Sequence, residues 1–178
     1  MQSLLGIFRK ILPILLLFVL VNMAGQEQKE QKEQKHLLGA GFGFTFVPLG
    51  DALGDTDERG VFTKTVGLGY FYNFHPRWGA GFLGAVELDH YVVTDEQVER
   101  ENAIILTLVG MYSATKYLDL FLGGGVEAEK HNNLAVLRLG LQYSIDVGKH
   151  WALVPKLHFD FKENYNTWSF ALSFARRL

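Results

Sequence analysis

LAVLRLGLQYSIDV, residues 134–147, is the run on which the reading of this chain turns. Ala135, Leu137, Leu139, Leu141, Tyr143, Ile145 and Val147 share one parity, while Arg138, Gly140, Gln142, Ser144 and Asp146 share the other. Successive side chains of an extended strand point to opposite faces, so this text makes a ribbon with one apolar and one polar face. Soluble antiparallel sheets alternate in the same way, so a single strand does not choose between water and lipid as the outer medium. The number of such strands, their length and the address at the start of the chain make that choice.

The address comes first. Arg9 and Lys10 precede an unbroken apolar run, residues 11–21, which gives way to the small residues Ala24 and Gly25. These are the charged, apolar and small-residue parts of a secretory signal peptide, and the reading is a leader over residues 1–25, cut near Ala24 or Gly25. The apolar run is 11 residues, against the roughly 20 that a spanning helix needs. The chain contains no cysteine. A lipoprotein would need a lipid-accepting Cys, and disulfides and thiolate metal sites are excluded with it. The formal charge is −2, and removing Arg9 and Lys10 leaves −2 − 2 = −4, which argues against a nucleic-acid partner. Residues 26–35, QEQKEQKEQK, hold no apolar side chain. Such a tract cannot bury a face and reads as a polar spacer.

The domain over residues 36–178 breaks into eight alternating runs: residues 36–48, 61–74, 78–93, 102–113, 117–130, 134–147, 152–162 and 167–178. Each is 11 to 16 residues long, whereas soluble strands average about 5 or 6 residues and a tilted membrane-crossing strand needs about 9 to 11. The fourth run is apolar on both parities, and Ile104, Leu106, Leu108 and Tyr112 are placed outward. Short turns at His75-Pro76-Arg77, Ala114-Thr115-Lys116 and Gly148-Lys149-His150 alternate with connections at the other end, of which the first two are long and charged. Tyr72, Phe74, Trp78, Tyr112, Tyr117, Tyr143 and Trp151 gather beside the short turns, as an interfacial girdle would. The expected fold is all-β: an eight-stranded antiparallel up-and-down transmembrane β-barrel following a cleaved signal peptide. Lipid offers no partner to backbone N–H and C=O groups, so a sheet in a membrane must close on itself. Eight strands leave an interior just wide enough for side chains, which excludes a wide pore.

Charges on the inward parity are the candidate functional constellation. If Asn132 and Asn133 form a two-residue hairpin, paired positions sum to 265 and Glu127 lies across from Arg138. A turn centred on Lys149 pairs positions summing to 298, which sets Asp160 against Arg138 and Lys156 against Gln142. The network then comprises Arg138, Glu127, Asp160, Glu87, Glu129, Lys156 and His158, read as a plug of paired charges, with a gated ion path as the alternative. Asp51, Asp55, Asp57 and Glu58 crowd the first long loop and read as solvated, a divalent cation being the alternative. The glycines of GAGFGF and GGG precede no helix and so are no phosphate cradle. They are expected to make room for inward Phe71, Leu83, Tyr91 and Phe121. No catalytic set and no cofactor site is read.

On the strand pattern, the Gly-rich texts GAGFGF and LGGGVEAE, and the last run TWSFALSFARRL, residues 36–178 resemble the small eight-stranded outer-membrane β-barrels of Gram-negative bacteria, the OmpA/OmpX-like group. The resemblance implies an outer-membrane location, contact with outer-membrane lipid and lipopolysaccharide, and a monomer. It also implies insertion by the barrel-assembly machinery, which would read Trp168, Phe170, Leu172, Phe174 and Leu178 in the final strand. The expected role is non-enzymatic, structural or surface-interacting and porin-like only in architecture. Lipid A-modifying barrels use His with Ser or Asp, but here the second position after His158 is Asp160 and no nucleophilic Ser adjoins it. Such an enzyme, and a soluble lipocalin-like binder of an apolar ligand, are the alternatives.

Overall fold

The computed structural model describes residues 35–48, 50–52, 60–93, 98–130 and 133–178. The expected signal peptide, and the spacer apart from Lys35, lie outside the described residues, as do Asp55, Asp57 and Glu58. The strands in order are β1 (His36–Val47), β2 (Gly50–Ala52), β3 (Val61–His75), β4 (Trp78–Glu87), β5 (His90–Val93) and β6 (Val98–Glu101), followed by β7 (Ile104–Ser113), β8 (Leu118–Ala128), β9 (Leu134–Tyr143), β10 (Ile145–Asp146), β11 (Trp151–Lys162) and β12 (Asn166–Arg177). All pairings are antiparallel. β1, β3, β4, β7, β8, β9, β11 and β12 are the eight staves, and β10 continues β9 beyond Ser144. The sheet closes through β1 on β12, from Leu37↔Arg177 to Phe46↔Trp168. Both ends of the barrel chain meet there, where the Leu178 N–H donates to the His36 carbonyl at 2.9 Å.

Alternation sorts the side chains as the medium requires. Phe62, Leu68 and Leu108 are 66 to 68% exposed on the outside, whereas Phe71, Val109 and Phe121 on the other parity are at most 3% exposed. Ile104, Leu106 and Leu108 face outward. An exterior this apolar is the reverse of a soluble barrel with a greasy lumen, because exposed leucine and phenylalanine around the whole wall suit hydrocarbon and not water. Aromatic pairs ring the end that carries the termini: His36 with Tyr72, Trp78 with Tyr112, Tyr117 with Tyr143 and Trp151 with Phe174, at centroid distances of 4.6 to 5.9 Å. Towards the distal end Phe46 packs on Phe62 and Phe159 on Phe161. Apolar bodies with polar tips suit the level where hydrocarbon gives way to water.

At the distal end the structure departs from the sequence reading. The third run does not continue to Val93. β4 stops at Glu87 because the chain bends at Leu88 and Asp89, where the Leu88 N–H donates to the Lys64 carbonyl and the Asp89 carboxylate accepts the Lys64 N–H at 2.7 Å. β2, β5 and β6 then form a separate three-stranded sheet, so part of the charged loop expected at residues 94–101 is strand. The tight hairpin at Asn132-Asn133 is not formed either. β8 and β9 pair with Glu127↔Leu134 and Gly123↔Arg138, sums of 261 and not 265, and a longer connection joins them. Gly60 ends the first distal loop at φ 101° beneath the Phe46 ring, a conformation and a space that favour glycine.

Glycines do make room for inward aromatics, but not the ones expected. A Cβ on Gly81 would run into the Phe71 ring, and one on Gly140 into the Phe121 ring. Gly41, Gly43, Gly123 and Gly125 lie instead against the backbone of neighbouring strands.

Gly140→Ala is expected to destabilise the barrel by about 1 to 3 kcal/mol through overpacking against Phe121. Gly148→Ala, which has open space around it, is expected to shift stability by no more than about 0.5 kcal/mol. Urea unfolding in micelles checks both. The backbone N–H of Lys64 holds the Asp89 carboxyl below its ordinary value, against a smaller opposing effect of burial and with help from the Lys64 charge. A depressed carboxyl contributes stability above its unfolded-state pKa and loses it as pH falls through the folded value. Protection of the Lys64 amide against hydrogen exchange should therefore drop on acidification below the carboxylate range.

Candidate functional site

The lumen is filled in layers, set by which inward positions of β9 and β11 fall opposite each other. With Lys156↔Gln142 and Asp160↔Arg138 in register, the two strands bring a guanidinium directly across from a carboxylate. Arg138 donates from Nε to Asp160 Oδ1 and from Nη2 to Asp160 Oδ2, both at 2.7 Å, with both residues at most 2% exposed. This two-toothed geometry matches the planar fork of arginine to the two oxygens of the carboxylate. Gly123 lies across from Arg138 on the other side. Glu127 is therefore two inward positions further towards the distal end and belongs to a different group of charges.

That second group closes the distal mouth. Glu127 meets Arg100 Nε at 2.8 Å and is contacted by Lys162 Nζ, and its Oε1 accepts the Tyr165 hydroxyl at 2.7 Å. Glu87 accepts the Tyr91 hydroxyl at 2.5 Å and lies 3.6 Å from Lys162 Nζ, and Glu129 lies 3.6 Å from Arg100 Nη1. The two phenols are linked at 3.1 Å, and Lys162 sits 4.5 Å above the Tyr165 ring. Over this network Val47, Tyr91, Val93, Leu134 and Tyr165 form an apolar cluster. Arg100 is 0% exposed although it belongs to the sequence TDEQVERE, all polar but one residue. The small sheet folds it back into the barrel, where it meets Glu127 and Glu129.

Towards the terminal end the filling changes character. Phe71, Leu83, Val109, Met111 and Phe121 pack together. Beside them Asp119 accepts from the Ser113 hydroxyl at 2.7 Å and from Gln142 Nε2 at 3.1 Å. Lys156 and His158 occupy the middle layer, the first with its ammonium 5.5 Å above the Phe71 ring and the second 6.5 Å from the Phe121 ring.

The lumen charges named from sequence are thus all inward, but they divide into groups. Arg138 and Asp160 pair, Glu127, Glu87 and Glu129 gather around Arg100 and Lys162, and Lys156 and His158 stand on the terminal side of the Arg138–Asp160 pair. Arg100, Lys162, Tyr91 and Tyr165 were missed as site residues. Lys162 carried a signal, its inward parity on the seventh run. Tyr165 and Arg100 carried none, since the small sheet and the turn that place them are tertiary features.

Taking both ions of a buried pair out of water costs several kcal/mol, which good geometry only about recovers, so the net gain of such a pair is small while loss of one partner is severe. Arg138→Met is accordingly expected to lower stability by about 3 to 5 kcal/mol by leaving Asp160 unpaired. Adding Asp160→Leu should restore most of that loss, as read from urea unfolding in micelles. A double variant no more stable than Arg138→Met would show that the pair does not act as a unit.

No protein-family pattern matches the chain, and no curated protein matches it in sequence. Its backbone superposes on that of Ail, the attachment invasion locus protein of Yersinia pestis. With that protein in complex with the heparin analogue sucrose octasulfate, the TM-score is 0.52 at 13% identity, over 81% of this chain and 98% of Ail. With the structure of Ail alone the TM-score is 0.51, again at 13% identity, over 82% and 100% of the two chains. OprG of Pseudomonas aeruginosa superposes at 0.46, with 14% identity over 80% and 95%. Closed antiparallel staves, an apolar exterior and the likeness to Ail give the fold: this is a closed, eight-stranded antiparallel β-barrel with the fold of Ail.

Proposed function

We propose that this chain is a monomeric outer-membrane barrel that acts through the surface its distal end presents, without catalysis and without a standing pore. One observation carries the reading: the distal lumen is occupied by buried charges, with Arg100, Glu127, Lys162 and Glu87 between 0 and 7% exposed beneath a cap of apolar side chains. A channel for bulk solutes needs a continuous wet path, and buried side chains interrupt it here. The elaborated end, with its separate sheet, is the one opposite the termini, which in an up-and-down barrel of even strand number is the outer face. The body then serves as an anchor in lipid and lipopolysaccharide and the distal sheet as the contact surface. The outward row Trp168, Phe170, Leu172 and Phe174 on β12, with Leu178 after it, is the surface offered to the barrel-assembly machinery.

The test has three parts. The protein expressed in a Gram-negative host should fractionate with the outer membrane and migrate differently on gels before and after boiling; recovery as a soluble protein without detergent would overturn the reading. In planar bilayers the purified barrel should show no steady conductance, and Arg100→Ala, which unlatches the small sheet, should raise it. Lipid A from cells with and without the gene should have the same mass, and a lost or added acyl chain would replace this reading by a lipid-modifying enzyme.

A further inference from the structure

The accounting of inward charge leaves one cation over, and the lumen is open where it stands. Among the described residues the inward carboxylates are all engaged: Glu87 and Glu127 with Lys162, Tyr91, Tyr165 and Arg100, Glu129 with Arg100, Asp160 with Arg138, and Asp119 with Ser113 and Gln142. Among the described residues no carboxylate lies within ion-pair distance of Lys156. Arg138, which lines the same cavity, is also positive and is matched by Asp160. The middle of the barrel, Arg138, Lys156 and Asp160, therefore carries a net charge of +1 with His158 neutral.

That charge adjoins a cavity of about 50 Å³ lined by Arg138, Lys156, His158, Thr65, Ser169 and Ser173. One side is cationic. The hydroxyls and the bare backbone of Gly41 and Gly67 share the rest of the lining with apolar side chains, Leu83 and Phe121 among them. Thr45 bridges Thr65 at 2.9 Å and Ser169 at 2.8 Å. Three hydroxyl protons serve two hydrogen bonds there, which leaves one proton uncommitted. The ammonium reaches across the lumen to β3, where a Cβ on Gly69 would come within 3.3 Å of Nζ, so glycine keeps its seat clear. A cation removed from bulk water and given no counter-charge is costly, and hydroxyl and guanidinium donors around a void favour negative charge in it.

We propose that this chamber binds a small inorganic anion, held by Lys156 with Arg138 and His158 on one side and the Thr65 and Ser169 hydroxyls on the other. The site is separate from the distal surface and does not depend on what that surface meets. Size narrows the ligand: at roughly 10 to 15 Å³ for each water-sized body, the chamber admits a halide-sized ion with a water or two. A sugar phosphate or nucleotide is excluded.

Bromide is the probe. The full barrel domain, refolded in lauryldimethylamine oxide micelles at neutral pH, is titrated with sodium bromide at constant ionic strength, with micelles alone as the blank. Bromide nuclear relaxation should show saturable binding that is lost in Lys156→Met and in Lys156→Gln. It should be kept in Lys116→Met, which removes a rim lysine. Backbone amide signals of Gly41 and Gly67 should shift with the same midpoint. Binding that survives Lys156→Met in barrels of normal heat-modifiable mobility overturns the proposal, as do amide shifts confined to the rim. Should the Lys156 variants not fold, the wild-type amide shifts decide alone: saturable shifts at Gly41 and Gly67 uphold the chamber, and their absence removes it.

Discussion

Closure of β1 on β12 is the constraint from which the rest of the molecule follows. A sheet in hydrocarbon with an unpaired edge would leave a row of amide and carbonyl groups without partners, each costing several kcal/mol. Ten consecutive residue pairs between the first and last staves remove that edge. The price of closure is that every stave must present an apolar side chain outward and something smaller or more polar inward, at every second position. The outward leucines and phenylalanines and the inward threonines, glycines and charges are consequences of one geometric requirement.

Once closed, eight staves leave an interior that side chains must fill. The filling is uneven along the axis. Phe71 and Phe121 take the terminal half and need Gly81 and Gly140 to pass; buried aromatics and bare backbone are two halves of one packing solution. Ion pairs and phenols take the distal half, where Arg100 arrives from outside the barrel wall. Between them the fill is incomplete, and the cavity beside Lys156 is the consequence. Charges are also unevenly shared: three glutamates face two cations distally, while the middle layer has two cations and one aspartate. A lumen arranged this way is a series of separate compartments more than a channel.

Parity was legible at nearly every barrel position, because the period of two survives any register. The fourth run is apolar on both parities and offers no such contrast, yet Ile104, Leu106 and Leu108 face outward as expected. The Arg138–Asp160 juxtaposition was also legible, since the short turn around Lys149 sets the β9–β11 register and no residue intervenes to shift it. Glu127 was misplaced for the opposite reason. Its register passes through a connection longer than a two-residue turn, and an even slip of four in the pairing sum keeps every side chain on its face while moving its partner two inward steps along the strand. Arg100 was invisible for a third reason. Nothing in the text of a charged loop announces that the loop will form strands of its own and return a side chain to the lumen.

The sequence by itself determined the medium and the architecture: eight long alternating runs, apolar on one parity, can satisfy their backbone in lipid only as a closed barrel. Those are local and periodic properties, written residue by residue. Tertiary structure alone decided which inward charges meet, which glycines face which rings, and where the lumen stays open. Each of these depends on how far one stave is staggered against the next and on where a distal loop folds back, and a stagger is a relation between segments that no single segment encodes.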